Sequence, residues 1–203
     1  MSRIEVFADI MCPFTHVGLR RLVEMRAAAG KSTALRVRAW PLEWINDGPL
    51  AADLVGREIE ALRTSVAPEL FAGFDAGTFP RTSIPAFALA AAAYTVDDAV
   101  GEAVSLAIRD ALFEHGRDVA DPMVLREIGE RHGVVALGPD AASAAVTADW
   151  ERGRARGVEG SPHFVVGDRD WFCPSLRIRH DENGFQIEVA EETTREFYAM
   201  ALG

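Results

Sequence analysis

The sequence predicts an α/β protein in which a large helical domain is inserted into a sheet-containing domain. Three observations predict this fold class. Short apolar alternations typical of buried strands occur near both ends of the chain, apolar residues at helical spacing fill its middle, and 203 residues are enough for one core with an insertion. The predicted boundaries are residues 1–48 and 158–203 for the sheet-containing domain and 49–157 for the helical insertion.

The first predicted unit is a strand, a helix and a second strand. Residues 3–8 alternate as a strand does, and Pro13 then stands at the position where proline is favoured, the first of a helix. Gly30 ends this helical pattern, and residues 33–40 alternate again until Pro41. This order is typical of the start of an α/β unit.

The middle of the chain is predicted to be helical because proline and aspartate begin, and glycine ends, successive apolar stripes. Asp97 and Asp121 are predicted helix caps. The predicted helices include residues 55–66, 85–94, 100–111, 122–133 and 139–157.

Strand patterns return after Ser161 and Pro162. Asn183 and Gly184 form a dipeptide that favours a tight hairpin turn, and the last helix is expected to turn Phe197 inward together with Met200. The predicted elements are strands at 163–166, 171–173, 176–180 and 185–189 and a helix at 191–202.

Charge, targeting signals and cysteine content limit the partners, the location and the kinds of site that we expect. The net charge of −10 disfavours nucleic acid and anionic membrane surfaces as partners. No signal peptide or membrane-spanning segment is recognisable, so a cytoplasmic location is expected. Two cysteines, Cys12 and Cys173, are too few for a disulfide framework, and no His or Cys spacing predicts a metal site.

Cys12 is the strongest candidate for chemistry. It precedes Pro13 and therefore caps the first helix, where free backbone N–H groups and the helix dipole favour a thiolate. We therefore expect its pKa to lie below that of a free cysteine. Thr15 lies on the same helical face and His16 one turn away, so a hydroxyl and an imidazole are within reach of the sulfur. The alternative is a buried cysteine that serves only as a small hydrophobic residue.

The residues around Cys12 resemble the active-site motif of DsbA-type proteins, notably the FrnE-like group, whose pattern is D-x-x-C-P-W-C-Y-x-G. Other segments agree in order and spacing. The resembling segments are Asp9-Ile-Met-Cys12-Pro-Phe-Thr15-His-Val-Gly18, Trp40-Pro41-Leu42-Glu43, Asp118-Val-Ala-Asp121 with Leu125, and Gly157-Val-Glu-Gly-Ser161-Pro162.

This resemblance implies a thioredoxin-like mixed sheet interrupted by the helical insertion. It also implies that Pro162 is a cis-proline facing Cys12 and that the backbone of Ser161 binds substrate. The residues expected to line the substrate side are Pro13, Phe14, His16, Trp40, Ser161 and Pro162.

Thr15 stands where the family has its second cysteine. The predicted function is therefore a monothiol disulfide oxidoreductase. Cys12 would attack a disulfide, Thr15 would orient the thiolate, and an external thiol or Cys173 would resolve the product. Cys173 is expected toward the sheet edge, too far from Cys12 for a bond without movement.

No bound cofactor is expected, although glutathione or another low-molecular-weight thiol is a candidate cosubstrate. The expected partners are a disulfide-containing or small-thiol substrate and, as an open possibility, a second copy of the chain.

Two other functions remain open. The kappa-class glutathione transferases and the 2-hydroxychromene-2-carboxylate isomerases are similar in fold, but they use serine as the nucleophile and glutathione as cosubstrate. The third hypothesis is a redox-inactive binding protein with exposed apolar surface around Phe14 and Trp40.

Overall fold

The computed structural model describes residues 3–182 and 184–203. The elements follow the predicted order, with an additional short helix after the second strand and a 3-10 helix before the alanine-rich helix. In chain order they are β1 (Arg3–Ala8), α1 (Pro13–Ala28), β2 (Ala34–Ala39), α2 (Leu42–Ile45), α3 (Ala52–Ser65), the 3-10 helix Ala76–Thr78, α4 (Ile84–Val96), α5 (Asp98–Phe113), α6 (Pro122–His132), α7 (Pro139–Arg156), β3 (His163–Val166), β4 (Arg169–Phe172), β5 (Leu176–Asp181), β6 (Gly184–Val189) and α8 (Glu191–Leu202).

The main sheet has four strands in the order β2-β1-β3-β4. β1 and β2 are parallel, which requires the crossover that α1 provides, whereas β3 is antiparallel to both β1 and β4. The central strand β1 ends at Ala8, and the chain then turns through residues 9–12 into α1. This turn places Cys12 beyond the carboxyl-terminal end of the central strand β1.

The two faces of the sheet are covered by different helices. Side chains at alternate positions of β1 and β3, among them Val6 and Phe164, pack with residues of α1 and α8. On the opposite face, Phe7 and Val165 pack with Trp40 and with Trp150 of α7. Both central strands are therefore buried on both sides, which explains their apolar sequences.

The hairpin of β5 and β6 forms a separate two-stranded sheet. Leu176 and Ile187 of this hairpin belong to the same apolar core as Val55 and Ile59 of α3. The C-terminal strands thus share a core with the helical part of the chain. Asn183, half of the predicted turn dipeptide, lies outside the described residues.

The predicted helix ends are confirmed at several places. The Asp97 side chain accepts a hydrogen bond from the Val100 amide at 2.8 Å, and Asp121 accepts one from Met123 at 2.8 Å. Gly133 ends α6 with a left-handed φ of 67°. Met200 is 43% exposed, so the expectation that it faces inward was wrong. Across the part of the chain that the structure describes, no helix has the length and apolarity needed to cross a bilayer.

Candidate functional site

Cys12 caps α1 as predicted, and Pro13 is the first residue of that helix. The peptide bond between Ser161 and Pro162 is cis. The Cys12 thiol donates a hydrogen bond to the Ser161 carbonyl oxygen, with 3.3 Å between Sγ and O. The structure therefore brings together the two segments that the family resemblance singled out, which are 149 residues apart in the chain.

Thr15 and Ser161 form a buried pair of hydroxyls beside the sulfur. Their oxygens are 2.8 Å apart, and the Ser161 hydroxyl also accepts a hydrogen bond from the Asp9 amide at 2.9 Å. Thr15 is fully buried. The residue that replaces the second motif cysteine thus connects the beginning of α1 to the loop before β3.

The pKa of Cys12 is the main correction to the sequence prediction. Only 3% of the residue is exposed, and this burial raises the pKa of its thiol above the ordinary value of 9.0. Polar groups of Thr15 and Ser161 act in the opposite direction but do not compensate. The expected acidic thiolate is therefore wrong for this state of the protein, because the loop before β3 covers the helix terminus and removes the sulfur from water.

Asp9 organises the turn between β1 and Cys12. Its Oδ1 accepts a hydrogen bond from the Met11 amide at 2.7 Å, and its Oδ2 accepts one from the Leu42 amide at 2.6 Å and one from the Ser83 hydroxyl at 3.4 Å. Burial raises the pKa of Asp9 to about 6. The aspartate of the motif D-x-x-C was the sequence signal for this role, although Asp9 was not among the predicted site residues.

Arg109 contacts the backbone of this turn and was also absent from the residues predicted for the site. Its guanidinium is fully buried in α5 and donates hydrogen bonds to the Asp9 carbonyl oxygen at 3.2 Å and to the Ser105 carbonyl at 3.0 Å and hydroxyl at 2.7 Å. Burial lowers the pKa of Arg109 to about 10. No local sequence pattern predicted this position, because the backbone group of Asp9 that Arg109 binds is 100 residues away in the chain.

Glu58 is an acidic group close enough to act on the sulfur. Its half-buried side chain lies on α3, and burial raises the pKa of this carboxyl to about 7. When ionised, Glu58 further raises the pKa of Cys12. Negative charge at this position therefore favours the protonated thiol.

His16 has partners away from Cys12. Its Nε2 atom is 2.6 Å from Glu114 Oε1, and its ring contacts the rings of Phe71 and Phe113. Burial lowers the pKa of His16. Burial alone would raise the pKa of Glu114, but the hydrogen bonds that Glu114 accepts from His16 and from the Phe71 amide outweigh it and lower the pKa of Glu114 to about 2. The expected contact between the imidazole and the thiolate is not formed; His16 instead joins α1 to the end of α5.

The two aromatic residues expected at the substrate surface differ in their exposure. Phe14 is half-buried and borders a narrow apolar cleft beside Pro162. Trp40 is only 3% exposed, and its ring packs 4.2 Å from the ring of Trp150 between centroids. The prediction of exposed apolar surface at Trp40 was therefore wrong, because α7 covers this side chain, whereas the substrate contact of Trp40 stays a prediction.

Cys173 directly follows the edge strand β4 and is buried. Its amide donates a hydrogen bond to the Pro162 carbonyl oxygen at 2.9 Å, and its φ of 44° lies in the left-handed region. Burial raises the pKa of its thiol to about 12. Both cysteines are free thiols in the structure.

An apolar cavity of about 690 Å³ opens between α4, α6 and α7. Trp44 and Ile84 contribute to its wall. Trp44 is two residues after Leu42, whose amide binds the Asp9 carboxylate, and Ile84 directly follows Ser83, whose hydroxyl binds the same carboxylate. Within the described residues, no three His, Cys, Asp or Glu side chains converge as a metal site requires.

Comparison with solved structures shows the same architecture in several proteins. A 2-hydroxychromene-2-carboxylate isomerase is 19% identical with a TM-score of 0.65, over 83% of this chain and 87% of that one. A putative protein disulfide isomerase from Nitrosomonas europaea is 15% identical with a TM-score of 0.65, over 100% and 99%. The cytosolic disulfide reductase DsbM from Pseudomonas aeruginosa, solved with GSH, is 18% identical with a TM-score of 0.61, over 97% and 98%.

The search of curated proteins found no match. Residues 3–178, however, match the family described as the DSBA-like thioredoxin domain. This match spans most of the chain and confirms both the resemblance and the fold class predicted from the sequence. The protein is thus a member of the DSBA-like thioredoxin domain family, with a mixed α/β fold.

Proposed function

We propose that the protein is a thiol–disulfide oxidoreductase in which Cys12 is the single residue that attacks the substrate. The observation that carries the proposal is the hydrogen bond between the Cys12 thiol and the Ser161 carbonyl, next to Pro162. An extended disulfide-containing chain or small thiol that paired with the backbone of Ser161 would bring its sulfur to Cys12. The family membership and the disulfide reductase among the structural neighbours support the same chemistry.

The buried thiol defines the order of events. In the resting state Cys12 is protonated and hydrogen bonded to Ser161. Substrate binding must displace this contact and expose the sulfur, because the thiolate and not the thiol is the nucleophile. The hydroxyls of Thr15 and Ser161, which already lower the pKa of Cys12 in part, then stabilise the thiolate.

The reaction that we propose moves two electrons to the substrate. Cys12 Sγ loses its proton and bonds to one sulfur of the disulfide, while the other sulfur leaves and is protonated to a thiol. An external low-molecular-weight thiol, with glutathione as the first choice, then attacks the mixed disulfide and regenerates the Cys12 thiol. This attack leaves the bound half of the substrate in a mixed disulfide with the external thiol, and a second equivalent of external thiol converts it to the substrate thiol and the oxidised external thiol. Because two equivalents of external thiol supply the two electrons, a reducing compartment such as the cytoplasm is the proposed location.

The test is glutathione-dependent reduction of a small soluble disulfide, followed as formation of oxidised glutathione. We expect turnover by the wild-type protein and none by Cys12→Ser. Val96→Ala, at an exposed position of α4, serves as the matched control and should turn over like the wild type. Equal rates for the wild type and Cys12→Ser would exclude the proposal.

The cavity of about 690 Å³ favours one second candidate, a glutathione-dependent isomerase or transferase with an apolar substrate. Its volume suits a small molecule, and Trp44 of its wall is two residues from Leu42, whose amide binds the Asp9 carboxylate. In that case Cys12 would position or activate a thiol cosubstrate. A Cys12→Ser variant that kept full turnover of a small apolar electrophile with glutathione would favour this function over disulfide reduction.

A further inference from the structure

The two cysteines lie at neighbouring backbone groups of the same dipeptide. The thiol of Cys12 donates a hydrogen bond to the Ser161 carbonyl oxygen at 3.3 Å, and the amide of Cys173 donates one to the Pro162 carbonyl oxygen at 2.9 Å. The two accepting oxygens belong to consecutive residues, so both cysteines contact the backbone of the same dipeptide. Cys173 lies at the sheet edge as predicted, directly after β4, and its amide also contacts the backbone of Pro162.

Cys173 also shares a cleft with the helix that carries Cys12. Cys173 lines a narrow apolar cleft together with Phe14, Gly18 and Pro162. Gly18 places α1 against Pro162, because a Cβ atom added at Gly18 would be in ordinary van der Waals contact with Pro162 Cγ, at 3.7 Å. In agreement with this proximity, negative charge on Cys12 raises the pKa of Cys173.

We propose that Cys173 is an internal thiol that can release substrate from the mixed disulfide on Cys12. This inference rests on the proposed function, since it requires that Cys12 first attacks a disulfide. The Cys173 sulfur loses its proton and bonds to Cys12 Sγ, the bond between Cys12 and the substrate breaks, and the substrate leaves as a thiol. The protein is left with a Cys12–Cys173 disulfide, which two equivalents of an external thiol reduce back to the two free thiols.

The burial of Cys173 determines when this internal route operates. A thiol with a pKa of about 12 is almost entirely protonated at neutral pH, so its attack is slow. An abundant external thiol reaches the mixed disulfide first, whereas the internal route dominates when external thiol is scarce. The short segment of residues 173–175 connects β4 to β5 and belongs to neither sheet. The internal route requires a local movement of this segment that brings the two sulfurs to bonding distance.

The test uses an aromatic disulfide that releases a coloured nitrothiophenolate, added in one molar equivalent to the reduced protein. Attack by Cys12 releases the first coloured thiolate and leaves the second on the protein. We expect a slower second release from the wild type that is independent of protein concentration, and a final mass two hydrogens below that of the reduced protein. The second rate should rise about tenfold per pH unit, since only the thiolate of Cys173 attacks.

Three variants separate the possible outcomes. Cys173→Ala should release only the first thiolate and keep the adduct, and Cys12→Ser should not show the two successive releases. Peptide mapping of the oxidised wild type, which should contain linked Cys12 and Cys173 peptides, gives the same answer if Cys173→Ala does not fold. Val96→Ala is expected to behave like the wild type.

The two proposals fail in different ways in this experiment. A wild-type protein that releases the first thiolate and then keeps a stable adduct on Cys12 overturns the internal route alone. A second release whose rate increases with protein concentration also overturns it, because the disulfide then forms between molecules. If Cys12 releases no thiolate, both the proposed function and the internal route are wrong.

Discussion

Replacing the buried Asp9 with asparagine should change how the stability of the protein depends on pH. The folded protein holds the pKa of Asp9 at about 6, against an ordinary value of 3.8. The folded state therefore binds a proton more readily than the unfolded state, and stability falls as pH rises from the lower pKa through the higher one. A difference of roughly two pKa units corresponds to about 3 kcal/mol.

The assay is urea unfolding of the wild type and Asp9→Asn at a series of pH values, comparing their free energies of unfolding. Asparagine does not titrate, and one of its terminal atoms cannot accept a hydrogen bond, so Asp9→Asn also carries a pH-independent cost of roughly 1–3 kcal/mol. We expect the stability of the wild type relative to Asp9→Asn to fall by about 2–3 kcal/mol between about pH 4 and about pH 8. A difference that is constant within about 0.5 kcal/mol, or that rises with pH, would refute the assigned burial of the Asp9 carboxyl.

The other predictions concern the thiol and the packing around the sheet. Iodoacetamide should alkylate Cys12 more slowly in the folded protein than in urea, with a rate that still rises above pH 9.0; a plateau below that ordinary value of the cysteine pKa would contradict the buried thiol. Trp40→Ala should lower the free energy of unfolding by roughly 3–5 kcal/mol and the partly exposed control Trp44→Ala by only about 1 kcal/mol, so equal losses in urea unfolding would be inconsistent with the packing described. Gly153→Ala should cost roughly 1–3 kcal/mol, because its Cβ would lie 2.5 Å from Trp40 Cζ3. Gly48→Ala, with no atom within 4 Å of its Cβ, should stay within about 0.5 kcal/mol in the same assay.

Local chemistry made most elements of the fold predictable. The cap at Asp121 and the proline at position 13 act on the residues next to them, so a sequence reading finds them without knowledge of the tertiary structure. The contact between the beginning of α1 and Ser161 spans the whole helical insertion, so no local pattern predicts it. The family resemblance of the motif around Cys12 predicted this contact instead.

The errors share a cause, which is burial by distant segments. The position of Cys12 at a helix terminus was correct, but the pKa of its thiol depends on the loop at Ser161, which covers it. Trp40 follows a strand and was expected near the surface, yet α7 packs on it where Gly153 leaves room. His16 was expected near the sulfur, but Glu114 of a distant helix end binds its ring.

The most direct test of the account is peptide mapping of the intact protein after incubation with oxidised glutathione at neutral pH. We expect the Cys12 peptide to carry glutathione or a bond to Cys173, both removable by added dithiothreitol, and we expect neither product in Cys12→Ser. The account would be contradicted if the folded protein left Cys12 unmodified under conditions in which the urea-unfolded protein reacted readily.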